Sequence, residues 1–141
     1  MDLKLLLTQE ADRAQDIADI LGTVRAHDTG HVQDITLAIS GLNSLCWALR
    51  DLNDQITDKE GRVLLSFVRD LQLLQDSVAY TLQDVWTILG KIPSDPFPIH
   101  YREAWKEICQ YCITVGRQSL HMRLENYKLF VYALCKVLQR Y

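Results

Sequence analysis

The chain is poor in helix breakers, with six glycines and three prolines among 141 residues. That scarcity excludes a fold of short strands joined by tight turns and favours long, uninterrupted helices. Long apolar runs are also missing. Nothing approaches the ~20 residues needed to cross a bilayer. The opening Met1-Asp2-Leu3-Lys4-Leu5-Leu6-Leu7 is too short for a signal sequence and has Asp2 where a basic flank belongs. A cytoplasmic protein with reduced cysteines is therefore expected. Clustered positive charge is lacking too. The net charge of −3 argues against nucleic acid as partner, because phosphate binding draws its affinity from grouped Lys and Arg. The C-terminal part is locally basic, with Arg102, Lys106, Arg117, Arg123, Lys128, Lys136 and Arg140. Glu103, Glu107 and Glu125 offset part of that charge, so these residues are expected on solvated helix faces.

Motifs that announce chemistry are equally scarce. There is no Glu-x-x-His pair for a di-iron site, no serine elbow, no phosphate-cradling glycine loop and no dinucleotide fingerprint. No cofactor is implied. Two short patterns need weighing. His27-Asp28-Thr29-Gly30-His31 resembles the central motif of the HD phosphohydrolases, where an adjacent His and Asp hold a metal that activates water. That family also requires an earlier histidine, and none precedes His27. The segment therefore reads first as a polar turn between helices, with a metal-dependent hydrolase at His27, Asp28 and His31 as the distant alternative. Cys109-Gln110-Tyr111-Cys112 is a C-x-x-C. It lies late in a helix, where the dipole disfavours a thiolate, and the spacing of His100 and His121 matches no common zinc site. Core thiols are the expectation for both, as for Cys46 and Cys135.

What is present is helical periodicity. Hydrophobic residues at 48% and charged residues at 23% suit one folded domain over residues 1–141. Five helices are expected, making an all-α bundle. The first runs from Leu3 to Val24, with a polar stretch at Glu10 to Arg13, and breaks over Arg25 to Gly30. The second runs from His31 to Ile56 on a stripe from Val32 to Ile56, and Gly41 in that stripe offers room for another helix to approach. Thr57-Asp58 reads as a junction, with Glu60 in the first turn of the next helix. That third helix is expected from Lys59 to Leu89, with Val63 or Leu64 at the head of its stripe. At ~1.5 Å per residue it would be about 45 Å long.

Ile92 to Pro98 holds three prolines in six residues and is expected as a stiff, non-helical crossover. Ile92, Phe97 and Ile99 would pin it to the core. It would divide a three-helix front from a two-helix back, Tyr101 to Ile113 and Leu120 to Arg140, with Ser119 or Gln118 capping the last helix. Trp47, Trp86 and Trp105 are expected in the core or on groove walls. From Tyr127 to Leu138 the last helix is apolar nearly all round, with Lys128 and Lys136 the interruptions. Such a helix is either wrapped by its own bundle or meets another chain.

Tyr101-Arg102-x-x-Trp105 and Arg123-Leu124-Glu125-x-Tyr127-x-x-Phe130 follow a helix carrying Leu71-x-x-Leu74-x-x-Ser77-x-x-x-Thr81-Leu82-x-Asp84-Val85. That series resembles helical N-terminal domains of filamentous-fungal multidomain proteins, akin to HeLo-like domains. The resemblance implies an interaction or adaptor module. Taken together, the expected function is non-catalytic binding of a protein partner or self-association. The contact would use Leu129, Phe130 and Tyr132, or a face of the third helix bearing Val68, Leu73 and Trp86. A membrane-active or lipid-binding bundle, anchored by Leu3, Leu5, Leu6 and Leu7, is the other class that the pattern allows.

Overall fold

Helices form where the apolar spacing predicts them, and their ends obey local chemistry. A computed structural model describes residues 3–59 and 65–140, with side chains from residue 6 onward. Its helices are α1 (Leu3–His27), α2 (Val32–Asp58), α3 (Leu65–Leu89), α4 (Pro98–Gly116) and α5 (Leu120–Leu138). The all-α bundle of five helices is as expected. Several boundaries differ, each for a local reason.

α1 continues through Arg25 and Ala26 to His27, because nothing before Asp28 competes with the helical hydrogen bonds. The polar stretch at Glu10 to Arg13 does not interrupt its buried face. Ala11, Ala14 and Ala18 fill that face between Leu7, Ile17, Leu21 and Val24, and their small side chains let α2 lie close. The two helices are antiparallel, since Arg50 Nη2 donates to Asp12 at 2.7 Å and Arg25 Nη1 to Thr36 at 3.1 Å. α2 likewise continues through Thr57 and Asp58, and Lys59 closes it with backbone bonds to Gln55 and Ile56. Lys59 therefore ends α2 and does not open α3. The expected roles of Glu60, Val63 and Leu64 lie outside the described residues.

The described part of α3 spans 25 residues, about 37 Å at ~1.5 Å per residue. It is a long helix, but α2 with 27 residues is longer. The crossover is non-helical from Gly90 to Phe97 only. Pro98 begins α4, contrary to the expectation that it could not be helical. Proline is tolerated at the first helical position, where its missing N–H would have had no partner. Phe97 completes the start by donating its N–H to His100 Nδ1 at 2.9 Å. Only Ile92 packs against the core. Phe97 is 70% exposed and Ile99 50%, so neither pins the crossover. α4 ends at Gly116 and is capped by Arg117, whose φ of 53° is left-handed. α5 is preceded by Ser119, whose hydroxyl accepts from the Met122 N–H at 3.2 Å, as a cap should.

The expected split into a three-helix front and a two-helix back does not occur. α5 returns to α2 and packs on it more extensively than on α4. The return is possible because Gly41 presents bare backbone. A Cβ built there would lie 3.2 Å from Leu124 Cδ1. Further along, Cys135 lies beside Asp51 and Gln55, so α2 and α5 run parallel. α3 runs antiparallel to α5, as Ser77 meets Tyr127 while Thr81, further along α3, meets the earlier Arg123. One continuous core results, centred on Leu42, Leu45, Leu49, Leu71, Val78, Leu82, Ile108, Leu124 and Val131. Burying each large side chain contributes about 1.5–3 kcal/mol.

Candidate functional site

Packing on α2 and α3 uses only part of α5. Leu120, Leu124, Val131, Leu134, Cys135 and Leu138 turn inward. The opposite side stays apolar without cover. Leu129 is 55% exposed and Tyr132 46%, with Phe130, Ala133 and Val137 beside them. Lys136 is the one charge within that stretch, from Leu129 to Val137. The Glu125–Lys128 pair, 2.9 Å apart, sits before it.

The face expected on α3 is not one face. Val68 and Trp86 are 18 positions apart, five whole helical turns, and do align. Leu73 stands about 140° away from both. Trp86 lines a cleft against Glu10, Asp12, Arg13 and Asp16 of α1, and Val68 is half-buried. Leu73 is exposed and sits on the same edge of α3 as Ser77. The antiparallel register puts it level with Phe130. The structure thus brings Leu73 towards the α5 face and leaves Trp86 beside α1, with Val68 far along the helix on the side of α3 that Trp86 occupies. Trp47, expected in the core or on a groove wall, is 73% exposed. It lies midway between the Gly41–Leu124 and Gln55–Cys135 meetings, so the parallel register sets it level with Leu129. Sequence periodicity did carry this signal, because Trp47 falls off the stripe formed by Leu45, Leu49 and Leu52. Trp105 is buried in the core as expected.

The His-Asp segment is spent on a turn. Asp28 is 1% exposed. Its carboxylate accepts from the Gly30 N–H at 3.3 Å and pairs with His31 Nδ1 at 3.0 Å. His27 faces the other way. Its Nδ1 lies 2.9 Å from the Thr23 carbonyl, and its ring stacks on Tyr101 at 4.5 Å. Among the described residues, no three His, Cys, Asp or Glu side chains gather as metal ligands. The C-x-x-C thiols are free. Burial pushes Cys109 up to about 11 and Cys112 upward as well. Both stay protonated at neutral pH, so neither is an activated nucleophile. Cys46, Cys112 and Cys135 are buried, as expected of core thiols, and Cys109 is half-buried.

Arg123 departs from expectation. Grouped in the sequence with solvated basic residues, it is buried. Its Nη1 donates to Thr81 Oγ1 at 3.4 Å, and its guanidinium lies 5.8 Å above the Tyr111 ring centre. Gly116 gives it space, since a side chain there would collide with the guanidinium. Around it, the Tyr127 hydroxyl donates to the Ser77 carbonyl at 3.1 Å and sits 2.6 Å from Thr81 Oγ1. Tyr111 donates to Asp84 at 2.5 Å. Burial, reinforced by the Asp84 carboxylate, pushes the Tyr111 phenol up to about 12. The cluster joins α3, α4 and α5 by satisfied polar contacts, which favours a structural role. The spacing Leu120, Arg123, Tyr127, Phe130, Leu134 could have flagged Arg123, since it follows the inner edge of α5.

Comparisons with protein-family models, with curated proteins and with solved structures give no match for this chain. Function is therefore read from these surfaces.

Proposed function

We propose that the chain is a non-catalytic helical interaction module that self-associates through the outward face of α5. The observation that carries this is the exposed run of Leu129, Phe130, Tyr132, Ala133 and Val137 on a helix whose other side builds the core. Leaving such residues in water forgoes about 25 cal/mol per Å² of apolar surface that a contact would bury.

A second copy suits this face by its pattern. In an antiparallel α5 pair centred at the level of Val131, Leu129 of one copy comes opposite Ala133 of the other. A large side chain then meets a small one, as helix packing requires. The same register sets Lys136 opposite Asn126, next to Glu125, so the one charge of the stretch gains polar company. Leu73 on one flank and Trp47 on the other extend the contact. An adaptor role of this kind agrees with the resemblance to helical domains of fungal multidomain proteins.

The two other functional classes have less support. Leu7, one of the four leucines of a membrane anchor, is fully buried and Leu6 half-buried, while Leu3 and Leu5 have no described side chains. Among the described residues, no helix is long and apolar enough to cross a membrane. A hydrolase at His27, Asp28 and His31 would need the carboxylate that Asp28 commits to its own turn. The test is the solution mass of the wild type against Leu129→Glu. Wild type should exceed one chain, and the variant should be a folded monomer. Wild type at the mass of one chain would overturn the proposal.

A further inference from the structure

A cavity of about 310 Å³ lies where α2, α4 and α5 converge. It is separate from the outward face of α5, whose residues from Leu129 onward do not line it. Its volume is at the small end of the usual range for small-molecule sites, roughly 300–1,000 Å³. Its walls are mainly apolar. Leu37, Ile113 and Leu120 contribute aliphatic surface. The Cys109 thiol, also on the wall, stays neutral because burial raises it to about 11.

Two polar side chains stand out in that setting, and one of them, His121, has a buried Nδ1 with no hydrogen-bond partner. Trp105 lines the cavity and is only 3% exposed, and its indole N–H is buried with no hydrogen-bond partner. The other tryptophans are exposed. A buried donor without an acceptor costs roughly 1–3 kcal/mol, and native structures rarely leave one unmatched. Buried Trp ordinarily finds an acceptor for its N–H. Here the protein supplies none to the donor of a residue that lines an apolar cavity. Arg117 adds a cation at the same cavity, and Asp34 adds an anion that sets a limit on negative charge there.

We infer that this cavity binds a small apolar molecule bearing a carbonyl oxygen, which accepts the Trp105 indole hydrogen bond while its chain packs on Leu37, Ile113 and Leu120. Two kinds of molecule present that oxygen, a carboxylate and a neutral ketone. Arg117 favours the first and Asp34 the second.

The experiment is a titration of the full chain with octanoate and, separately, with 2-octanone, read from the indole N–H resonances in a ¹H–¹⁵N spectrum. Saturable binding should move the Trp105 resonance and leave those of Trp47 and Trp86 in place. A stronger response to octanoate identifies the carboxylate, and a stronger response to 2-octanone the neutral carbonyl. Either result supports the site. Trp105→Phe keeps an aromatic ring but removes both the donor and its resonance, so its affinity is read by calorimetry and should fall about tenfold or more. Ile113→Phe, at an exposed position that spares the core, should fill the cavity and abolish binding in a folded protein. If neither probe moves the Trp105 resonance at millimolar concentration, the inference fails. Equal movement of all three resonances, or unchanged binding by Ile113→Phe, would also overturn it, since each would signal surface partitioning.

Discussion

Gly41→Ala isolates the contact that closes the bundle. In a helix interior this substitution ordinarily stabilises by about 1 kcal/mol, because alanine costs less backbone entropy than glycine. At Gly41 the new Cβ would lie 3.2 Å from Leu124 Cδ1 and 3.3 Å from Leu124 Cβ. The second distance is the important one. A side-chain end can rotate away, but Leu124 Cβ moves only with the α5 backbone. Leu124 is also fully buried, so there is no open space to move into. Overpacking of this kind costs about 1–3 kcal/mol. The net expectation is destabilisation of about 1 kcal/mol. Gly22→Ala is the internal control. It lies within α1, and nothing stands within 4 Å of a Cβ there. It should stabilise by about 0.5–1 kcal/mol. Urea unfolding followed by circular dichroism gives both values. If Gly41→Ala stabilises as much as Gly22→Ala, α5 does not rest on α2 at this point and the close approach of the two helices is refuted.

Two more outcomes concern buried ionisable groups. Burial raises the pKa of Glu10, with Arg13 partly opposing, and its Oε2 has no hydrogen-bond partner. The unfolded carboxyl therefore ionises first as pH rises, and the folded state loses stability through the carboxylate range. Glu10→Gln should raise the thermal midpoint at pH 7, and the gain should vanish in acid. An equal gain at both pH values would refute this. Cys109 and Cys135 are both raised to about 11, mainly by burial. Iodoacetamide at pH 8 should label them far more slowly than in the urea-unfolded chain. Stability should also fall as pH climbs from about 9 to about 11, because the unfolded thiols ionise first. Equal labelling rates in the two states would contradict the burial of these thiols.

The legible part of the fold was what periodicity controls. The stripe from Ile35 to Ile56 and the run of Leu71, Leu74, Val78, Leu82 and Val85 gave two helices and their buried faces. The Ser119 cap and the Gly41 approach were also legible, because each has a specific local chemistry. The illegible part depends on which helix meets which. Pro93, Pro96 and Pro98 suggested a division of the bundle, yet nothing local tells α5 to return to α2. Phe97 looks like a core anchor by composition and is exposed because α4 starts directly after it. Ala11, Ala14 and Ala18 look weak as a core but suit a close helix pair. Arg123 was misplaced because charge alone suggests solvent, while the space beside Gly116 and the Tyr111 ring make its burial tolerable. As for the candidate site, the apolar excess of α5 was readable in full. The division of the α3 residues, with Leu73 near α5 and Trp86 near α1, required the packing to be known.

The most direct test of self-association through α5 is the mass of the wild-type chain by light scattering over a concentration series. A mass that rises to twice that of one chain, and stays at one chain for Leu129→Glu at the same concentrations, is the predicted result. A wild-type mass equal to one chain throughout would contradict self-association.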